Sequence, residues 1–481
     1  MPNSILSLDA TAQLMALEAR RISAVELLDL SVARWKSQHA LINAVVATDL
    51  ERARAKARII DERRIKGESL GALAGLPMTI KDTLDVEGLP ASSGVAALRR
   101  KTGVVDAATV ARASYEGAVI WGKTNVPVLA GDWQSYNALY GTTNNPWDTD
   151  RTCGGSSGGA AAALATGVTA LEIGSDIGGS LRVPASFCGV YSHKPTWGLV
   201  SQRGHIPPAR GTYAERDLNV VGPMARSARD LRLLLSVLEE GPLAPKADAP
   251  ALKSLRIGVW LREDSFPLDP EVRAAVTAFA QTVAKRGAQV KSVRPVDAIA
   301  LMDAYRLLLM AATAPDLPAS ARNTMRALRG LAGFAGLLGA KAMAEQVRGY
   351  TLSHTDWLAA DEVRARIGAQ VKTLFDSFDV ILAPIAPVTA FRHDHRPFGR
   401  RTLTQSDGTK IPYLSMLDWI GLATACGLPA TAVPAGLSTS GLPVGVQLIG
   451  PRGGDGRTLA VAQALEEELG GFQAPPPLDV V

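Results

Sequence analysis

Residues 153–196 read CGGSSGGAAAALATGVTALEIGSDIGGSLRVPASFCGVYSHKPT. Two glycine-wrapped serine clusters, Gly154–Gly159 and Gly178–Ser180, are joined by an Ala-rich segment. Glycine at that density is tolerated where the backbone takes positive φ or approaches something closely. Serines among such glycines can hold an exposed hydroxyl, and successive N–H groups can converge on one point. A nucleophile and an oxyanion hole require both. Ser180 is followed by Leu181 and Arg182, so it does not sit in a G-x-S-x-G elbow. No Ser stands three residues before a Lys anywhere in the chain. The histidines are His39, His193, His205, His354, His393 and His395. Only His193 and His205 lie near the clusters in sequence, and no Ser-His-Asp set suggests itself.

A candidate base lies upstream. Gly75-Leu76-Pro77-Met78-Thr79-Ile80-Lys81-Asp82 reads as a turn and a short apolar strand that ends in Lys81. Burial disfavours the ammonium and lowers its pKa, which makes lysine a general base. Neighbouring side chains in a strand point to opposite faces, so Asp82 need not pair with Lys81.

These residues resemble the amidase signature enzymes. Gly75–Asp82 matches their G-x-P-x-x-x-K-D element, and Gly154–Thr196 their long Gly/Ser-rich signature. The 24-residue interval from Ser156 to Ser180 also agrees. The likeness continues in Gly122–Asn125, Tyr140–Trp147, Gly222–Ser227, Gly427–Ala430 and Gly441–Gln447. It implies a Ser–cisSer–Lys triad. Ser180 is then the nucleophile, Ser156 the bridging serine after a cis Gly155–Ser156 bond, and Lys81 the neutral base. The N–H groups of Ile177, Gly178, Gly179 and Ser180 would form the oxyanion hole. The implied fold is a single α/β/α domain over residues 1–481, with a large mixed central β-sheet covered by helices. Its expected parts are N-terminal helices (1–66), the signature core (67–240), a variable, mostly helical insert (241–370) and the C-terminal part of the core (371–470).

Composition is that of a globular protein, with 47% hydrophobic and 20% charged residues. A net charge of +5 over 481 residues argues for neither nucleic acid nor membrane binding. Three cysteines without metal-ligand spacing suit a reducing compartment, and the opening residues do not read as a secretory leader, so none is expected. The apolar stretches look broken by Gly, Pro or charge before membrane-spanning length. A cytoplasmic protein with no metal or other cofactor is expected, and a homodimer is compatible with the sequence.

Along the chain, Ser23–Glu26 is a capping box that opens a helix. Met78–Lys81 and Val119–Gly122 read as strands around a helix over Ala107–Gly117, the alternation of a helix-covered sheet. Residues 131–152 form a loop at the site mouth, where Trp133, Gln134 and Tyr136 could line a substrate pocket or pack the loop down. Asp176 and Arg182 are read as a pair that fixes the glycine loop, and Ser175 as a hydroxyl that orients Ser156. Cys153 and His193 are read as packing residues. Leu331, Phe334, Leu337 and Leu338 are expected to turn inward, in preference to a membrane-surface helix. Strands are expected at Leu255–Trp260, Asp379–Pro384 and Val444–Ile449. His393-Asp394-His395 reads as a surface loop.

The expected reaction is hydrolysis of a small aryl or alkyl amide, an ester or a carbamate through an acyl-enzyme on Ser180. Two alternatives stand beside it: a non-catalytic binding protein on the same fold, and a glutamine-hydrolysing amidotransferase A-type subunit. The stretches 132–137 and 202–217 do not resemble the amidotransferase subunits.

Overall fold

A computed structural model describes residues 2–240, 249–337 and 341–478. Eleven strands of these residues form one mixed sheet. In chain order they are β1 (Val45–Thr48), β2 (Pro77–Lys81), β3 (Val119–Thr124), β4 (Leu171–Asp176), β5 (Tyr191–Lys194), β6 (Val220–Ala225), β7 (Arg256–Val259), β8 (Gln289–Ser292), β9 (Val380–Pro384), β10 (Ala430–Leu437) and β11 (Pro443–Ile449). Their spatial order is β1-β3-β2-β4-β6-β5-β10-β11-β9-β7-β8. β2 runs parallel to β3 and β4, as β7 does to β8 and β9, and the remaining pairs are antiparallel.

Every residue of β2, β3, β4, β5, β6, β9 and β11 is buried. Strands hidden on both faces need cover on both faces, which the helices supply. The sheet is therefore the expected mixed one, and the expected strands and helices around it are present. The Ser23–Glu26 box caps the helix Ala24–Ile42, with the Ser23 side chain on the Glu26 N–H and the Glu26 carboxylate on the Ser23 N–H. Its buried stripe is Ala24, Leu27, Leu28, Ser31 and Val32.

Three local patterns yield to their surroundings. Gly117–Thr124 spells G-x-x-x-x-G-K-T, the pattern of a phosphate loop. Here its second half is the buried strand β3, and Lys123 Nζ donates to the carbonyls of Leu84 (2.6 Å) and Pro90 (3.0 Å). The helix around Ala298–Asp316 is long and apolar enough to cross a membrane by composition, contrary to expectation. It packs against the helix Gly421–Ala425, and its Tyr305 is fully buried. Leu331 is 66% exposed rather than turned inward, because its helix Ala319–Leu337 lies along the surface there. The side chains of Phe334 and Leu337, and Leu338 altogether, lie outside the described residues.

Candidate active site

Lys81 closes β2 in the middle of the parallel part of the sheet and is fully buried. Its Nζ lies 2.8 Å from Ser156 Oγ and 2.9 Å from Ser175 Oγ. Burial lowers its pKa from the usual 10.5 to about 7, against the pull of the Asp176 and Glu172 carboxylates. Asp82 does turn away. It accepts from the Ser92 N–H (3.2 Å) and stands 3.6 Å from Lys123 Nζ.

Ser156 follows a cis peptide bond at Gly155, as the resemblance implies. Glycine is required at 155, because a Cβ there would come within 2.5 Å of the Asp132 carbonyl oxygen and 2.8 Å of the Gln134 nitrogen. Ser180 sits next to this loop, since the Ser157 N–H donates to the Ser180 carbonyl at 3.2 Å. The Ser180 hydroxyl takes no part in the hydrogen bonds among the described residues. Catalytic contacts often tighten only when substrate binds.

The segment 177–180 is clamped from three sides. Trp133 Nε1 donates to the Gly178 carbonyl at 2.7 Å, and the Tyr305 hydroxyl to the Ile177 carbonyl at 2.9 Å. Asp176 Oδ1 accepts from the Gly179 N–H at 2.8 Å, and Oδ2 from the Leu181 N–H at 3.1 Å. The Gly179 N–H is thus engaged. Among the described residues, the N–H groups of Ile177, Gly178 and Ser180 are left without an acceptor and can face an oxyanion. Gly179 has φ +92°, which turns the chain at that point.

Asp176 and Arg182 do pair. Arg182 Nε and Nη2 each lie 3.0 Å from a different Asp176 oxygen, and both side chains are fully buried. The remaining guanidinium donors reach the Ile420 carbonyl, Gln447 Oε1 and Thr424 Oγ1. Burial would raise the Asp176 pKa, but Arg182 outweighs it and holds the carboxyl below its usual range. Breaking such a pair leaves a buried charge uncompensated. Arg182→Met is therefore expected to lower unfolding free energy by about 3–5 kcal/mol, read from urea denaturation. An unchanged midpoint would contradict this role.

Ser175 departs from its expected part: its hydroxyl meets Lys81 and His205 Nε2 (2.8 Å) rather than Ser156. Gln134 departs too. It is buried, and its amide is paired with the backbone N–H and carbonyl of Asp394, so it holds the loop 391–401 and does not line an open pocket. Trp133 fits both readings, holding Gly178 while its ring meets Tyr413 (5.3 Å) and Phe398 (6.0 Å). Tyr136 is half-buried, stacks on His395 and accepts from Arg401 Nη2 at 2.6 Å. Arg401 also pairs with Asp132, which accepts from the Tyr413 hydroxyl at 2.6 Å. Cys153 is buried and its thiol is pushed up to about 12 by burial, which suits packing rather than nucleophilic work. His193 bridges Thr431 and Asp455, as a structural residue would.

Tyr305, Arg401 and Tyr413 are not legible as site residues, because each reaches the site from a distant element and no local pattern marks it. His205 stands out in the sequence only for lying near the glycine clusters.

A family model described as Amidase matches residues 26–459. The chain belongs to the amidase signature family. This amidase-family chain is 34% identical over 493 residues to the A-type subunit of a glutamyl-tRNA(Gln) amidotransferase from Synechococcus sp. (strain CC9605), covering 96% of each protein. Among solved structures it resembles a bacterial aryl acylamidase of the same family, with TM-score 0.80, 28% identity and 96% of each protein covered. It also resembles the A-type subunit of the Thermotoga maritima glutamyl-tRNA(Gln) amidotransferase, with TM-score 0.72, 25% identity and 94% of each protein covered. Sequence likeness to curated proteins thus points to the amidotransferase subunits, the alternative rather than the leading expectation.

Proposed function

We propose that this chain cleaves a carboxylic amide C–N bond through an acyl-enzyme on Ser180. The observation that carries the reading is the 2.8 Å contact with Ser156, beside Ser180, of a fully buried Lys81 whose pKa burial lowers to about 7. Neutral Lys81 takes the Ser156 proton as Ser156 takes that of Ser180. The Ser180 oxygen bonds to the amide carbon, and the carbonyl electrons move onto oxygen, which faces the N–H groups of Ile177, Gly178 and Ser180. Collapse breaks the C–N bond, and the proton returns through Ser156 to the leaving nitrogen. Water then releases the acid by the same relay.

Two substrate classes are supported by different observations. The curated relatives favour glutamine as the amide, in an amidotransferase A-type subunit that works with a partner. The rings of Trp133, Phe398 and Tyr413 favour an uncharged aryl or alkyl amide. The nearby charges also favour it, since Asp176, Asp132 and Asp418 are already paired with Arg182, Arg401 and Arg306. The reading includes a cytoplasmic location, supported by three free thiols. Ammonia and amine release from glutamine, aliphatic amides, anilides and carbamates tests it, with Ser180→Ala as control. Release from glutamine alone selects the amidotransferase reading, and release from anilides selects the stand-alone amidase. No release from any of them, with or without a co-purified partner, contradicts both.

Tyr305→Phe is expected to lower kcat roughly tenfold with little change in KM, because it frees the Ile177 carbonyl and loosens the oxyanion donors. Steady-state kinetics on the best substrate check this, and an effect on KM alone would count against it.

A further inference from the structure

The hydrogen-bond chain through Lys81 continues to a residue that the amide-cleaving reading does not use. His205 is buried, with Nδ1 2.7 Å from the Pro207 carbonyl oxygen and Nε2 2.8 Å from Ser175 Oγ. Its loop is pinned to the turn that follows β2. The Ile206 N–H donates to the Thr83 carbonyl (2.6 Å), and Ser93 Oγ donates to the Ile206 carbonyl (3.1 Å).

The proton positions follow from what each atom can do. A carbonyl oxygen only accepts, so Nδ1 carries the ring proton. In a neutral ring Nε2 then has only a lone pair, and Ser175 must donate its single hydroxyl hydrogen to it. The ring is neutral because burial and the adjacent Lys81 push its pKa down to about 3. With its hydrogen committed, Ser175 Oγ presents only lone pairs to Lys81 Nζ at 2.9 Å. Lys81 therefore donates an N–H to Ser175. Its lone pair is left for Ser156 Oγ at 2.8 Å.

We propose that His205 is a positioning residue that turns the Ser175 hydroxyl away from Lys81 and so reserves the lone pair of the base for Ser156. This rests on the acyl-enzyme reading above and deepens it. Without an acceptor at 205, the Ser175 hydroxyl rotates and donates to neutral Lys81. That bond occupies the lone pair and also stabilises the uncharged amine. Loss of His205 should thus slow proton transfer while shifting the Lys81 titration to lower pH. The other groups facing Lys81 are Glu172 and Asp176 on β4. Lys123 on β3 faces Glu172, and Arg216 faces His205.

The test needs no knowledge of the amide. The rate of Ser180 modification by a fluorophosphonate is measured by mass spectrometry between about pH 5 and 9. His205→Leu is expected to react roughly 10- to 100-fold more slowly on the plateau, with its acid limb displaced to lower pH. Adding Ser175→Ala to His205→Leu is expected to restore most of the rate, because the competing hydroxyl is gone. His205→Gln, which keeps one acceptor and one donor, should stay near the parent. A merely structural histidine would lower the rate without moving the limb, and Ser175→Ala would not rescue it. In the unaltered protein, 15N shifts of the His205 ring should report the Nδ1–H tautomer, a readout that stands even if His205→Leu does not fold. A ring protonated at Nε2, or a double variant no faster than the single one, overturns the proposal. Failure of the parent to label at Ser180 would overturn the acyl-enzyme reading itself, and the proposal with it.

Discussion

Ser180→Ala lowers kcat/KM by at least about 10⁴-fold on any amide this chain turns over. Removing a nucleophile that acts in concert with its base removes nearly all that the pair contributes, leaving only what binding and oxyanion contacts supply. The residue is only 6% exposed and alanine is smaller, so the fold should tolerate the change. Far-UV circular dichroism and the urea midpoint should match the parent, while amide turnover disappears. Retention of even a tenth of the parent rate would remove Ser180 from the chemistry. Ser156 would then be the next serine to test, since its Oγ lies 2.8 Å from Lys81 Nζ and, unlike Ser175, it is not also bonded to His205.

Lys81→Met is expected to cost about 10³-fold in kcat, the scale of a positioned general base. Methionine keeps most of the buried volume and cannot accept a proton. In the parent, kcat/KM should rise with pH through about 7, because only the neutral amine takes the Ser156 proton and burial sets its pKa there. A profile flat from about pH 5 to 9 would exclude a neutral lysine base. Stability should carry the same titration. The unfolded chain holds a proton on Lys81 up to about 10.5 and the folded chain releases it above about 7. Between those values the unfolded state binds more protons, so this group opposes folding, less so as pH rises. Lys81→Met is accordingly expected to unfold at a urea midpoint no lower than the parent at about pH 7. Loss of activity together with a lowered midpoint would mark Lys81 as a packing residue.

Much of the site was legible because its chemistry is written locally. Lys81 ends an apolar strand, and the alternation of side chains along that strand separates it from Asp82, which the structure places with Ser92 and Lys123. Ser156 and Ser180 stand among glycines whose role is backbone approach, as Gly155 shows against Asp132 and Gln134. Asp176 and Arg182 are six residues apart and meet across one turn of chain.

The rest came from strand order. Lys81 meets Ser175, 94 residues later, because β2 and β4 are neighbours in the sheet. His205 arrives on a loop pinned beside the end of β2, Tyr305 on a helix 128 residues from Ile177, and Arg401 on a loop 269 residues from Asp132. Neither helical nor strand periodicity extends across such intervals. The sequence by itself therefore singled out the groups proposed to carry the chemistry, Lys81 by its place at the end of an apolar strand and Ser156 and Ser180 by their glycine-rich setting and the family resemblance, since these are features of a few consecutive residues. Only the tertiary structure decided which way the Ser175 hydroxyl turns, where Gln134 goes and which surface Leu331 meets, because those depend on partners that packing brings together from far along the chain.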